Sequence, residues 1–185
     1  MGLSMFVRGS KVEASMCYSS VHEFRVKMIL LAVGQLLVGK LEDNKDHTIR
    51  DELVSWLPEK LQEALGEKKP TLKFVREQLV QDNGIPAYEG FMDSPIVHGT
   101  GPSYQIMAGL YKLVNHSDCD GLHTVGDCVD ILKFLKFVKP ALALVDDTTK
   151  DQWDNTYNEI ITQWFNEVLA VFTEAVKNEK EVVYG

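Results

Sequence analysis

The chain has 185 residues, 45% hydrophobic and 25% charged, with a net charge of −8 and a pI of about 5.1. That length buries roughly 70% of the unfolded surface, so a core needs neither disulfide nor metal. The acidic balance, with no cluster of Lys and Arg, argues against nucleic-acid binding. Cysteine is odd in number (Cys17, Cys119, Cys128), and no basic segment followed by an apolar run opens the chain. This reads as a reduced, soluble, cytoplasmic protein without a membrane span. The longest apolar run, Met28 to Val38, is too short for a bilayer, and Phe6 stands where myristoylation wants Ser or Thr.

In chain order, Leu3, Met5 and Val7 alternate with less apolar positions, Gly9-Ser10 offers a turn, and Val12 and Ala14 alternate again. This pattern predicts a hairpin. Ser20-Val21-His22-Glu23 is a capping box that opens a helix to about Val38, with Gly39 ending it. Residues 28–38 are apolar on nearly all sides, which predicts a helix inside the core. After a polar loop from Glu42 to His47, Thr48 caps a second helix to Leu65, interrupted at Pro58. A third runs from Thr71 to Gln81 behind Pro70.

Residues 83–103 are rich in Gly and Pro, and a connection of this length is often functional. His98 sits among its glycines, whose amides could cradle an anion, but no P-loop lysine follows. A fourth helix is expected over Ser103–Val114 and a fifth over Val125–Leu144, bent near Pro140. A sixth begins at Asp147 or Thr148, ends near Asn178 and carries an apolar stripe of Trp153, Tyr157, Ile160, Ile161, Trp164, Val168, Phe172 and Val176. Glu181-Val182-Val183-Tyr184 is β-prone and predicts a strand beside the hairpin. The expected fold is α+β and mainly α, a single domain over 1–185. About six helices surround a buried central helix, with a small sheet from the termini.

The stretch NHSDCDGLHTVGD separates the fourth and fifth helices. Counting His116 as position 1 of a twelve-residue loop puts Asp118, Asp120, Gly121, Leu122, Thr124 and Asp127 at positions 3, 5, 6, 7, 9 and 12. A calcium loop of the EF-hand type takes oxygens from alternate positions, a glycine for the turn, a carbonyl at position 7 and an acid at 12. The candidate metal ligands are therefore His116, Asp118, Asp120, Leu122 through its carbonyl, Thr124 and Asp127. The expected ion is calcium or magnesium, and Asp127, one methylene shorter than the usual Glu, makes a bidentate grip harder and favours a weaker or smaller-ion site. His116, Cys119, His123 and Cys128 form a competing, less favoured zinc set. A nucleophilic Cys119 with His116 or His123 as base is disfavoured by its flanking Asp118 and Asp120. The plain structural alternative is an acidic turn whose carboxylates cap the next helix.

The opening MGLSM, the segment from Tyr18-Ser19-Ser20 to Phe24-Arg25, and NHSDCDG together resemble a loose group of small uncharacterised bacterial and bacteriophage proteins. The resemblance covers about a third of the chain, and the group often has an acidic residue where this chain has Leu122. It implies a bacterial or phage cytoplasmic setting, and that Tyr18, Glu23 and Arg25 line one cleft with the acidic loop; the plainer and preferred reading of those three is an N-cap with one surface ion pair. It transfers no reaction. The leading expectation is a binding or regulatory protein with one EF-hand-like cation loop. A small metal-dependent hydrolase using the same loop is the alternative, and a host-interaction protein acting through its surface on a protein partner is a third class.

Overall fold

A computed structural model of the chain describes residues 2–17, 21, 24–25, 27–29, 31–32, 35, 102–115, 120–146 and 152–185. The ordered elements are β1 (Gly2–Val7), β2 (Glu13–Cys17), α1 (Pro102–Val114), β3 (Gly121–His123), α2 (Val125–Asp146), α3 (Gln152–Lys177) and β4 (Val182–Tyr184). Helical residues also occur between 21 and 35.

Period-two alternation decides the N-terminal structure. Leu3, Met5 and Val7 turn inward and pair with β2 in register, Leu3 opposite Met16 and Met5 opposite Ala14. The connection needs a left-handed residue, and Gly9 supplies it at φ 78°. The Ser10 amide donates to the Val7 carbonyl at 2.9 Å inside the turn. The predicted C-terminal strand forms as β4, which pairs antiparallel with β1. Ser4 and Gly185 exchange two main-chain hydrogen bonds of 3.2 Å, extending that ladder.

The sheet has four strands in the order β2-β1-β4-β3, all neighbours antiparallel. Its fourth strand comes from inside the acidic stretch. On the inner face α3 lies against β1, β2 and β4, α2 packs on α3, and α1 packs on α2. Leu3, Met5, Val7, Phe134, Leu135, Phe165, Val168 and Phe172 share one continuous core. Val21, Phe24, Met28, Ile29, Leu31 and Ala32 are buried in the same core.

The expectation of about six helices around a central Met28–Val38 helix is overturned. Among the described residues, α1, α2, α3 and the helical positions between 21 and 35 combine with a four-stranded sheet. The physical reason is that the sheet's inner face supplies the apolar surface that α3 covers. The predicted second and third helices and residues 83–101 lie outside the described residues, and Pro102 and Ser103 open α1. Of the predicted stripe on the sixth helix, Ile161, Val168 and Phe172 are buried and Trp164 and Val176 pack against the core, but one stripe residue and one neighbour differ. Phe165 is fully buried, whereas Ile160 is 36% exposed.

Helix α3 stops in a Schellman arrangement. The Lys180 amide reaches the Ala175 carbonyl at 2.9 Å and the Glu179 amide the Val176 carbonyl at 3.4 Å. Glu179 takes the left-handed conformation there, at φ 52°. This tight stop turns the chain directly into β4.

Candidate functional site

The turn between α1 and α2 is built from its exit backward. Thr124 and Asp127 form a reciprocal capping box: the Asp127 amide donates to Thr124 Oγ1 at 3.2 Å, and the Thr124 amide donates to Asp127 Oδ2 at 3.0 Å. The Thr124 hydroxyl also donates to Oδ2, at 2.7 Å. The other carboxylate oxygen, Oδ1, lies 2.9 Å from Lys112 Nζ at the end of α1. The same ammonium donates to Asp130 Oδ2 at 2.7 Å. Lys112 thus bridges the first two turns of α2.

Electrostatics follow that geometry. Burial works to raise the Asp127 carboxyl, but hydrogen bonds from Thr124 and Lys112 outweigh it and hold the group below its ordinary value. Burial works to lower Lys112, and its bonds to Asp130 and Asp127 outweigh that and raise it. Each partner stabilises the charged form of the other.

Gly121 has a different role from the one its spacing predicts. Among described glycines only Gly9 has positive φ, so Gly121 is extended backbone of β3 and makes no sharp turn. It lies opposite Tyr184 in the ladder, and a Cβ at Gly121 would strike the Tyr184 ring and hydroxyl. Glycine is required because the Tyr184 ring occupies the space a Cβ would take. His123, two residues on, is buried with its ring centroid 5.1 Å from Tyr184 and 5.6 Å from Phe172. Leu122 points the other way and is 44% exposed.

His116, Asp118 and Cys119 lie outside the described residues. Asp120 is exposed, Leu122 is in a strand, and Thr124 and Asp127 hold each other and Lys112. Among the described residues no three His, Cys, Asp or Glu side chains gather as a metal shell would. Of the zinc set, His123 is packed among aromatic rings. Cys128 is buried, with its Sγ 3.8 Å from the His123 carbonyl. Burial pushes that thiol up to about 11, against the thiolate a zinc ligand needs.

No family model, curated protein or solved structure matches the chain. Among the described residues no helix is long and apolar enough to cross a membrane.

Three features escape sequence reading. Lys112 and Asp130 meet only because α1 and α2 pack side by side. Gly121 and Tyr184 meet only through strand pairing. The third is a row on the outer face of the sheet. Phe6 on β1 lies opposite Val183 on β4, and Val183 lies opposite Leu122 on β3. Phe6 is 39% exposed, so an apolar ridge crosses three strands on the solvent side. Arg25 is also notable. Burial raises the Tyr184 hydroxyl, Arg25 opposes that, and Asp120 and Asp127 add to it. Arg25 and the acidic turn therefore act on one phenol, while Tyr18 and Glu23 lie outside the described residues.

Proposed function

We propose that the protein is a non-enzymatic binding protein of a bacterial or phage cytoplasm that engages a protein partner through the outer face of its sheet. The observation that carries this reading is the row Phe6–Val183–Leu122, three apolar side chains aligned across neighbouring strands, with Phe6 and Leu122 exposed and Val183 half-buried between them. Scattered exposed apolar residues need no explanation, whereas contact surfaces present apolar side chains that adjoin, as these do. The turn supports the same reading by what its groups already do. Asp127 is engaged by Lys112 and Thr124, and Gly121 by Tyr184. Catalysis through Cys128 is disfavoured by its burial, which pushes the thiol up to about 11.

The test is capture of the partner from a lysate, its purification, and titration against wild type and the double variant F6T/L122T. Threonine keeps strand propensity while removing the apolar surface. The purified partner is expected to lose at least about tenfold in affinity for the double variant, on the scale of a lost hot spot. It should bind Lys139→Ser, altered on an exposed position of α2, as it binds wild type. Equal affinity for wild type and F6T/L122T overturns the proposal.

A further inference from the structure

We infer that the occupant of the outer face is an amphipathic helix with basic flanks, laid across the strands along Phe6, Val183 and Leu122; this rests on the docking face proposed above. The first argument is spacing. Neighbouring strands stand about 4.8 Å apart, so the ridge presents three apolar side chains over roughly 10 Å. A helix rises about 1.5 Å per residue, so apolar residues at i, i+4 and i+7 repeat over about 10.5 Å on one face. An extended strand advances about 6.6 Å between side chains on one side and falls out of step with the ridge.

The second argument is charge. Glu13 is exposed and directly opposite Phe6 in the β1–β2 ladder, at one end of the ridge. Asp120, two positions before Leu122, is exposed beside the other end, level with the neighbouring Ser4–Gly185 row. Arg8, the cation nearest the ridge in sequence, is paired with Glu181 at 2.9 Å. The whole chain carries −8. Lysines and arginines flanking an apolar helix face would meet acids at both ends of the ridge.

The third argument is the ground beside the ridge. Ser4, Ser15 and Gly185 form the next row of the sheet, joined by the Ser4–Ser15 hydroxyl contact of 2.9 Å and the Ser4–Gly185 main-chain pair. Such small side chains leave room for a cylinder to settle against Phe6 and Leu122 without a clash.

Two synthetic helical peptides test this on the full chain. Both carry leucine at i, i+4 and i+7; one has lysine on the flanks, the other glutamate. Fluorescence anisotropy is expected to show the lysine peptide binding wild type at least tenfold more tightly than the glutamate peptide. It should bind at least tenfold more tightly to wild type than to F6T/L122T, and E13K should weaken it several-fold. The dependence on Phe6 and Leu122 separates docking from general attraction of a cation to an acidic chain. If the lysine peptide binds wild type and F6T/L122T equally, if the two peptides bind alike, or if neither binds, the inference is overturned. A purified partner that needs Phe6 and Leu122 while neither peptide binds overturns the helix alone. A partner indifferent to both residues overturns the docking face itself.

Discussion

The Lys112 ammonium lies 2.9 Å from Oδ1 of Asp127, tying the last turn of α1 to the first turn of α2. A positive charge that is covalently part of the chain thus sits beside the carboxylate that the loop pattern assigns to position 12.

Removing either partner should loosen this clasp. Both side chains are partly open to water, so the pair is worth only about 1 kcal/mol. K112M and D127N should each lower stability by about that amount, D127N more because it also weakens the cap. A double-mutant cycle read by urea unfolding should give a positive coupling between the two.

The clasp also has a pH window. Asp127 is held below its ordinary 3.8, so its contribution is complete above that pH and disappears as pH falls through the lower folded value. Lys112 is held above 10.5, so its contribution is complete below that pH and is lost as pH rises through the folded value. The stability difference between wild type and D127N should be flat across neutral pH and shrink in acid below about pH 3.8.

Gly121→Ala should destabilise the protein by about 1–3 kcal/mol, because a methyl group must displace the Tyr184 ring. Thermal unfolding of G121A, Y184A and the double variant should be non-additive, since the second substitution removes the clash made by the first.

Much of this fold can be read from the sequence, and the parts that cannot share a cause. Alternation at Leu3, Met5 and Val7 announces the hairpin, because inner and outer faces differ sharply there. Thr124 and Asp127 announce a helix start, because a capping box is local. Strand β3 is three residues long and has too few positions to show a period. The glycine that spacing assigns to a calcium turn is explained by Tyr184, far along the chain. The inward face of α3 is misread at Ile160 and Phe165 because apolar residues adjoin in sequence, and only the sheet beneath decides which turn inward.

Two further substitutions test the turns that flank the sheet. Glu179 holds φ 52° at the end of α3, a conformation that disfavours side chains, so E179G should raise stability by about 1 kcal/mol. Gly9 holds φ 78° with open space around it, so G9A should lower stability by about 1 kcal/mol through backbone strain alone.

Native alkylation distinguishes the two described thiols. Cys17 is exposed on β2, while Cys128 is buried with its thiol pushed up to about 11. Iodoacetamide at pH 8 should modify Cys17 and leave Cys128 intact until denaturant is added, as mass spectrometry of the peptides would show.

That Asp127 is held by Lys112 and Thr124 and not by an ion is tested most directly by calorimetric titration of chelator-treated protein with calcium, magnesium and zinc. No ion should bind more tightly than about millimolar, the weak end of the range for such loops. A dissociation constant well below millimolar, abolished by D127N, would contradict it and put a cation where Lys112 now stands.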